Sequence, residues 1–123
     1  MKFLCLCYYD TRKFAELPPA ELEKVGPACK PHDANLYATG KVSLVGSMSP
    51  TDQWRTIVPT DDGAVVSSGN YLPGSAQAGA FFLIEAADID EATQIASKHP
   101  AANVCGHLGF AVEVRACDYF ETF

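Results

Sequence analysis

The sequence has few basic residues for its length, and this scarcity limits the partners that it can bind. Lysine and arginine together number 9 against 15 aspartates and glutamates, so the formal net charge is −6 over 123 residues. Nucleic-acid phosphates and anionic membrane surfaces both bind clustered Lys and Arg side chains. The acidic balance therefore argues against a nucleic acid or a membrane as a partner.

Long apolar runs are also missing. The run near the start, FLCLCYY, ends before Asp10, which is too short and wrongly flanked for a signal peptide. No stretch approaches the roughly 20 apolar residues that cross a bilayer. We therefore expect a cytoplasmic protein without a membrane-spanning segment.

The cysteines form no recognisable framework. There are five, an odd number, and no C-x-x-C pair, which argues against a disulfide network, a zinc ribbon or a thioredoxin-like motif. Cys5 and Cys7 lie in the apolar run and are predicted to be small core residues on one face of a strand. Cys105 and His107 could hold a metal only if other ligands converged on them, so we predict no metal and no cofactor.

The sequence does contain enough apolar material for one domain, which we expect to span residues 1–123. Its hydrophobic fraction is 48%, and a compact domain of this size buries roughly two thirds of its unfolded surface.

Local patterns predict where the elements begin and end. Asp61-Asp62-Gly63 predicts a hairpin turn, and Asp88 with Glu91 three residues later predicts a capped helix start. Two prolines predict a break in the first helix, because a proline inside a helix costs about 3 kcal/mol. The predicted elements are strand 3–9, helix 19–25, a second helical piece starting near Pro31, strands 41–48, 53–59 and 64–67, loop 68–79, strand 80–85, a helix from 88 to Pro100, and strand 110–117.

This order predicts an α+β fold. Strand, helix, strand, hairpin, strand, helix, strand is the ferredoxin-like βαββαβ arrangement with an inserted β-hairpin. Helices cover only one face of such a sheet, and the other face needs a cover that a chain of this length does not supply. We therefore predict a homodimer in which two sheets share their bare faces, which would also account for the high apolar fraction.

The residues also resemble a known family, the YCII-related proteins, and in particular their DGPF branch. The resemblance covers most of the chain, and its most specific part is the stretch 79–102. It rests on MKFLCLCYYD, the Gly40-Lys41-Val42 helix exit, VVSSGNYLPG, GAFFLIEAADIDEATQIASKHPAA and GFAVEVRAC. It implies a ferredoxin-like domain that dimerises into an α/β barrel.

The resemblance also implies a range of functions. Some relatives on this fold act on small cyclic or aromatic molecules, a His–Asp pair is suggested as catalytic in the YCII branch, and some DGPF members are associated with alternative sigma factors. The D-G-P-F run stands here as Ser68-Gly69-Asn70-Tyr71, so only its glycine is retained. Any chemistry of the missing aspartate is therefore not carried over.

His32 is the candidate catalytic residue. It precedes Leu36 by four residues, so both share a helix face that we expect to point toward the sheet. An imidazole serves as acid or base near neutral pH. Because Asp33 is about 100° away around the helix, a carboxylate from elsewhere, Asp10 at the end of the first strand, is the predicted partner.

Four further side chains are candidate ligand contacts. Tyrosines combine a stacking surface with a hydroxyl, and long Gly-rich loops often cover ligands. We expect a pocket between the sheet and the first helix, lined by His32 and by the predicted ligand-binding residues Tyr8, Ser68, Asn70 and Tyr71. Structural roles in the core, in a connecting loop or at a dimer contact remain the alternative for each of them.

Two functions fit these observations. The first is a cofactor-independent enzyme that acts on a small cyclic or aromatic compound, with His32 as general acid or base. The second is a non-catalytic regulatory or binding module associated with the transcription machinery.

Overall fold

The structure is a computed structural model that describes residues 1–123, and it contains six strands and three α-helices. Short 3₁₀ turns cover Thr51–Gln53, Pro100–Ala102 and Gly106–Leu108. The strands are β1 Lys2–Asp10, β2 Val42–Ser47, β3 Arg55–Thr60, β4 Gly63–Ser68, β5 Ala76–Glu85 and β6 Ala111–Ala116. The helices are α1 Thr11–Ala15, α2 Pro19–Tyr37 and α3 Ile89–Ala96.

The main sheet has the predicted ferredoxin-like topology. Its four strands follow the order β2-β5-β1-β6, and every neighbouring pair is antiparallel. Strands β3 and β4 form a separate two-stranded hairpin inserted between β2 and β5. The Asp61-Asp62 turn and Gly63, at φ +112°, close this hairpin as predicted. The structure therefore confirms an α+β βαββαβ fold with an inserted hairpin.

Strand β1 is one of the two central strands of the main sheet, and its side chains alternate between the two faces of the sheet. Phe3, Cys5 and Cys7 are buried on the face that the helices cover. Leu4 and Leu6 alternate with them and point to the opposite face, because successive side chains of a strand alternate. We refer to that opposite side as the open face.

Helix α2 is continuous, and the prediction of a break at its prolines is wrong. Pro27 and Pro31 both lie inside it and both are exposed. They are four residues apart, so they share the solvent face, where water can hydrate the carbonyls that lose their intrahelical partners. Gly26 precedes Pro27, and the absence of a side chain there relieves the clash that disfavours helix before proline.

The helical layer also differs from the prediction at other points. Helix α1 follows β1 directly, in a segment for which no element was predicted, and Asp10 caps its first turn. Helix α3 begins as predicted, with the Asp88 carboxylate accepting a hydrogen bond from the Glu91 N–H at 2.8 Å. It ends at Ala96 rather than at Pro100.

The core lies between the helices and the covered face of the sheet. Its largest fully buried side chains are Phe3, Phe82, Leu36, Ile84 and Cys5. Burying each of the larger ones contributes about 1.5–3 kcal/mol to stability. This packing fixes α2 against the sheet and thereby sets the width of the space at the end of the core.

Candidate active site

A cavity opens between helix α2 and the covered face of the sheet, where the hydrophobic core ends. Its volume is about 500 Å³, which is large enough for a small organic molecule. Most of its lining is apolar. The lining residues are Cys7, Tyr8, Tyr9, Phe14, Cys29, Asp33, Ser47, Met48, Pro50, Gly79, Ala80, His99, Pro100, Ala101 and Phe110.

Helix α2 contributes Cys29 and Asp33 to this cavity. Together with the fully buried Leu36 they follow the spacing i, i+4, i+7, which defines one face of a helix. Asp33 is half-buried. It is the one carboxylate among the lining residues, so it is the natural proton acceptor of the cavity.

His99 enters the cavity from the turn that follows α3. Its Nδ1 accepts a hydrogen bond from the Ala101 N–H at 2.9 Å, so the ring caps the 3₁₀ turn at Pro100–Ala102. An accepting Nδ1 places the proton of the neutral ring on Nε2. The ring also stacks on Phe82, with a centroid separation of 4.9 Å and an interplanar angle of 4°.

The charge state of His99 reflects two opposed influences. Burial lowers its pKa from the ordinary value of 6.5, and the nearby Asp33 carboxylate raises it. Burial is the larger influence, so the pKa is lowered. His99 is therefore a neutral imidazole at pH 7, with Nε2–H as a hydrogen-bond donor.

Two thiols of the cavity are held in their protonated form. Burial raises the pKa of Cys7 to about 12 and also raises that of Cys29, and the charge of Asp33 adds to both effects. The Cys7 sulfur lies 3.6 Å from His99 Nε2 and 3.8 Å from Nδ1. These nearly equal distances mean that the sulfur contacts the ring without lying along one N–H direction.

An aromatic pair forms one wall of the cavity. Tyr9 packs edge-on against Phe14 of α1, with ring centroids 5.5 Å apart. A β-bulge between Cys7 and Tyr8 leaves Gly79 of β5 without a register partner. A Cβ at Gly79 would come within 2.8 Å of the Tyr9 ring, so glycine permits this ring to lie flat on the strand.

His32 does not line the cavity, although it is half-buried on α2. Its neighbour Asp33 takes that position, because adjacent helical residues point about 100° apart. Whether His32 or Asp33 faces the cavity depends on how α2 is rotated against the sheet. The i, i+4, i+7 spacing of Cys29, Asp33 and Leu36 is the sequence signal that identifies Asp33 as the residue on the inner face.

The predicted partner of His32, Asp10, is committed to structural contacts. Its Oδ1 accepts hydrogen bonds from the N–H groups of Arg12 and Lys13, each at 3.0 Å, and its Oδ2 accepts one from the Ser75 hydroxyl at 3.0 Å. These bonds, the first of them to Lys13, lower the pKa of its carboxyl below 3.8. Asp10 caps α1 and does not line the cavity.

Tyr8 borders the cavity, but its side chain lies on the open face. There the hydroxyl donates a hydrogen bond to Glu113 Oε1 at 3.2 Å. Glu113 is opposite Leu6 in β6, which places both on the same side of the sheet. The Tyr8 hydroxyl is therefore engaged away from Asp33 and His99.

The remaining predicted contacts lie elsewhere. Asn70 and Tyr71 border a different groove of about 560 Å³ at the root of the hairpin. The Asn70 amide donates to the Leu72 carbonyl at 2.6 Å, and Ser68 is exposed at the end of β4. The predicted grouping of Tyr8, His32, Ser68 and Tyr71 around one pocket does not form. The groove is slightly larger than the cavity, but it contains no acid–base pair.

The His99 ring caps the turn at Pro100–Ala102 and also faces the cavity, a location that the sequence analysis does not predict. His99 and Asp33 are far apart in the sequence, so the sequence gives no sign that both line the same cavity.

No group of three or more His, Cys, Asp or Glu side chains is arranged to hold a metal ion. None of the helices combines the length and the apolar character needed to cross a membrane.

Comparison with known proteins identifies the family. The family model of the YCII-related domain matches residues 1–116. The chain belongs to the YCII-related family. No curated protein matches the sequence.

Among solved structures, this YCII-related chain is similar to 5-chloro-2-hydroxyhydroquinone dehydrochlorinase from Burkholderia phenoliruptrix AC1100, solved in complex with 2,5-dihydroxybenzoquinone. The sequence identity is 20%, the TM-score is 0.45, and the match covers 98% of this chain and 96% of that chain. A likeness this weak carries no information about the site.

Proposed function

We propose that the protein is a cofactor-independent enzyme that moves a proton on a small cyclic or aromatic carbonyl compound. The observation that carries this proposal is that Asp33 and His99, from separate elements, line one largely apolar cavity. Proton abstraction next to a carbonyl needs a base, here the Asp33 carboxylate, and a neutral hydrogen-bond donor for the carbonyl oxygen, here the His99 ring. These two residues replace the predicted pair of His32 and Asp10, neither of which lines the cavity.

His99 supplies the hydrogen-bond donor. Its Nδ1 is occupied by the Ala101 N–H, so Nε2–H is the polar group left for a ligand. A neutral imidazole N–H polarises a carbonyl oxygen and stabilises the negative charge that develops on it. Stacking on Phe82 restricts the ring to one orientation before the ligand arrives.

Asp33 supplies the base. In the proposed step a C–H proton adjacent to the carbonyl moves to the Asp33 carboxylate, and the C–H electron pair forms the new C=C bond. The carbonyl π pair then shifts to oxygen, which is hydrogen-bonded by His99. In a β,γ-unsaturated ketone the resulting dienolate is then protonated at its γ carbon by the Asp33 carboxyl, whose proton exchanges with water in between, and the oxygen pair re-forms the carbonyl, which completes an isomerisation with no other reactant.

Proton exchange tests the proposal without knowledge of the natural substrate. A panel of cyclic ketones, including cyclohex-3-enone and cyclohexane-1,2-dione, is incubated with the protein in D₂O, and loss of C–H signals is followed by NMR. We expect accelerated exchange for at least one member. Asp33→Asn and His99→Asn should each reduce the acceleration by about 10²–10⁴-fold, the range for loss of one acid–base group.

His32→Asn is the matched control, because it removes an imidazole from the same helix without touching the cavity lining. It should retain the exchange rate. No acceleration for any ketone, or an acceleration that survives Asp33→Asn, would contradict the proposal.

We also propose that the protein is a homodimer joined through the open face. Leu4, Leu6 and Phe81 are half-buried on this face, and Leu44 on β2, at 46% exposure, extends the apolar surface beside Leu83, which is already buried within the chain. The core cluster is on the other side of the sheet. An apolar sheet face of this kind is covered in stable proteins, and a second copy of the same sheet is a matching cover.

A further inference from the structure

We infer that the cavity takes its ligand in an uncharged form, as a hydroxyl compound with a nearby carbonyl oxygen, and excludes the corresponding carboxylate. This inference rests on the proposed function, since it assigns the substrate class of the same site. It is carried by the charges and the hydrogen-bonding groups of the cavity lining.

The formal charge of the cavity is negative and is carried by one side chain. Asp33 is the only Asp or Glu among the lining residues, and no Lys or Arg is among them. An anionic ligand would therefore lose part of its hydration against a largely apolar lining without gaining a cation, which is unfavourable. It would also be repelled by Asp33 at short range.

Groups of the protein already respond to this charge. Burial is the main cause of the raised pKa of Cys7, Cys29 and Tyr37, and the Asp33 carboxylate is a smaller cause that acts in the same direction on all three, so it disfavours further negative charge on the thiols and the phenol around it. A ligand carboxylate in the cavity would experience the same repulsion. The effect depends on position and not on the identity of the group.

The hydrogen-bonding groups favour a ligand with one donor and one acceptor. Asp33 accepts hydrogen bonds, and His99 donates one from Nε2 because its Nδ1 is occupied. A hydroxyl matches Asp33, and a carbonyl oxygen matches His99. An ammonium group would donate a hydrogen bond to Asp33 but would offer no acceptor to His99. Ser47 and Tyr9 also line the cavity, and their hydroxyls serve as donor or acceptor.

Two benzene derivatives with the same 2-hydroxyl group, and one without it, test this assignment. Salicylamide is neutral and salicylate is anionic at about pH 6.5, while benzylamine is a cation that has no hydroxyl acceptor for His99. Binding is measured by calorimetric titration of the full chain, so turnover is not required. We expect salicylamide to bind at least about tenfold more tightly than either charged probe, which corresponds to about 1.4 kcal/mol.

Asp33→Asn should reduce the preference for salicylamide over salicylate to about threefold or less, because the repulsive charge is gone. Asp61→Asn is the matched control, since it changes the net charge equally at the exposed hairpin turn and should preserve the preference. Equal binding of salicylamide and salicylate, tighter binding of either charged probe, or binding of none of them overturns the inference. Failure of the proposed function is seen separately, as absent proton exchange in a protein that still discriminates between the probes.

Discussion

His99 is both a cap and a wall of the cavity, and the two roles depend on the same ring nitrogen. The hydrogen bond from Ala101 to Nδ1 holds the 3₁₀ turn and also assigns the proton to Nε2. Protonation of the ring would place a hydrogen on Nδ1 and break this bond. Protonation of the His99 ring therefore changes both the stability of the turn and the hydrogen-bonding group that the ring presents to the cavity.

We expect this titration to make stability depend on pH. Burial lowers the pKa of His99 below its ordinary 6.5, so between these two values the unfolded chain binds more protons than the folded chain. The stability that comes from the neutral ring is fully present above pH 6.5 and is lost as the pH falls through the lowered pKa. Urea unfolding at a series of pH values measures the slope.

His99→Asn should flatten this slope, because asparagine keeps a capping acceptor but does not titrate. The carboxyls of Asp10 and Glu85, whose pKa values are lowered by hydrogen bonds, affect stability in a more acidic range, below about 4.5. An unchanged slope in His99→Asn would show that the ring is not the titrating group.

Gly109 combines a backbone requirement with a close contact. Its φ is +76°, and a Cβ there would lie 2.9 Å from Asp10 Cβ and 3.0 Å from the Asp10 backbone nitrogen. We expect Gly109→Ala to destabilise the protein by about 2–4 kcal/mol, since positive φ alone costs about 1 kcal/mol and the contact adds more. Denaturant unfolding measures the difference.

Gly40 provides the comparison that isolates the contact. Its φ is +68°, but nothing lies within 4 Å of an added Cβ. Gly40→Ala should therefore cost only about 1 kcal/mol. If both variants lose the same stability, the contact with Asp10 contributes nothing.

At the scale of elements, α2 shows how tertiary packing overrides local preference. Two internal prolines predict a broken helix, yet the element runs without interruption from Pro19 to Tyr37. Leu36 is fully buried and Cys29 is half-buried on the inner face. Packing along that face outweighs hydrogen bonds that are lost on the solvent side.

The prolines should consequently still destabilise the helix. Pro31→Ala restores a backbone N–H for the Pro27 carbonyl, so we expect a gain of about 1–2 kcal/mol, which is less than the cost of an interior proline because the unfolded chain becomes more flexible. Thermal unfolding measures the gain. Pro19→Ala, at the first helical position where no N–H partner is lost, should change stability by less than about 0.5 kcal/mol. Equal effects of both substitutions would exclude the missing hydrogen bond as the cause.

The elements were predictable where their signals are local. The apolar run of β1, the Asp-Gly turn of the hairpin and the Asp88 cap each act within a few residues, and each lies where the sequence placed it. The site was not predictable in the same way. Asp33 and His99 are brought together only by the fold, and the face that α2 presents to the sheet decides between His32 and Asp33.

At the scale of the whole molecule, the open face sets the expected state of assembly. We expect a dimer by analytical ultracentrifugation. Leu44→Asp, on β2 at 46% exposure, should shift it to monomer because a carboxylate would be buried without a partner. Leu22→Asp, at 45% exposure on α2, adds the same charge away from this face and should remain dimeric. A native protein that sediments as a monomer at about 10 µM would contradict the proposed homodimer, since stable homodimers persist at that concentration.

The alternation of side chains along β1 has a consequence for sequence variation. Phe3, Cys5 and Cys7 face the core, while Leu4 and Leu6 face the other way. Inserting or deleting one residue within β1 would exchange the two sets of side chains between the faces of the sheet. The strand should therefore accept single substitutions that keep this apolar alternation and reject nearly all single-residue insertions and deletions, a contrast that a saturation library of both kinds would display.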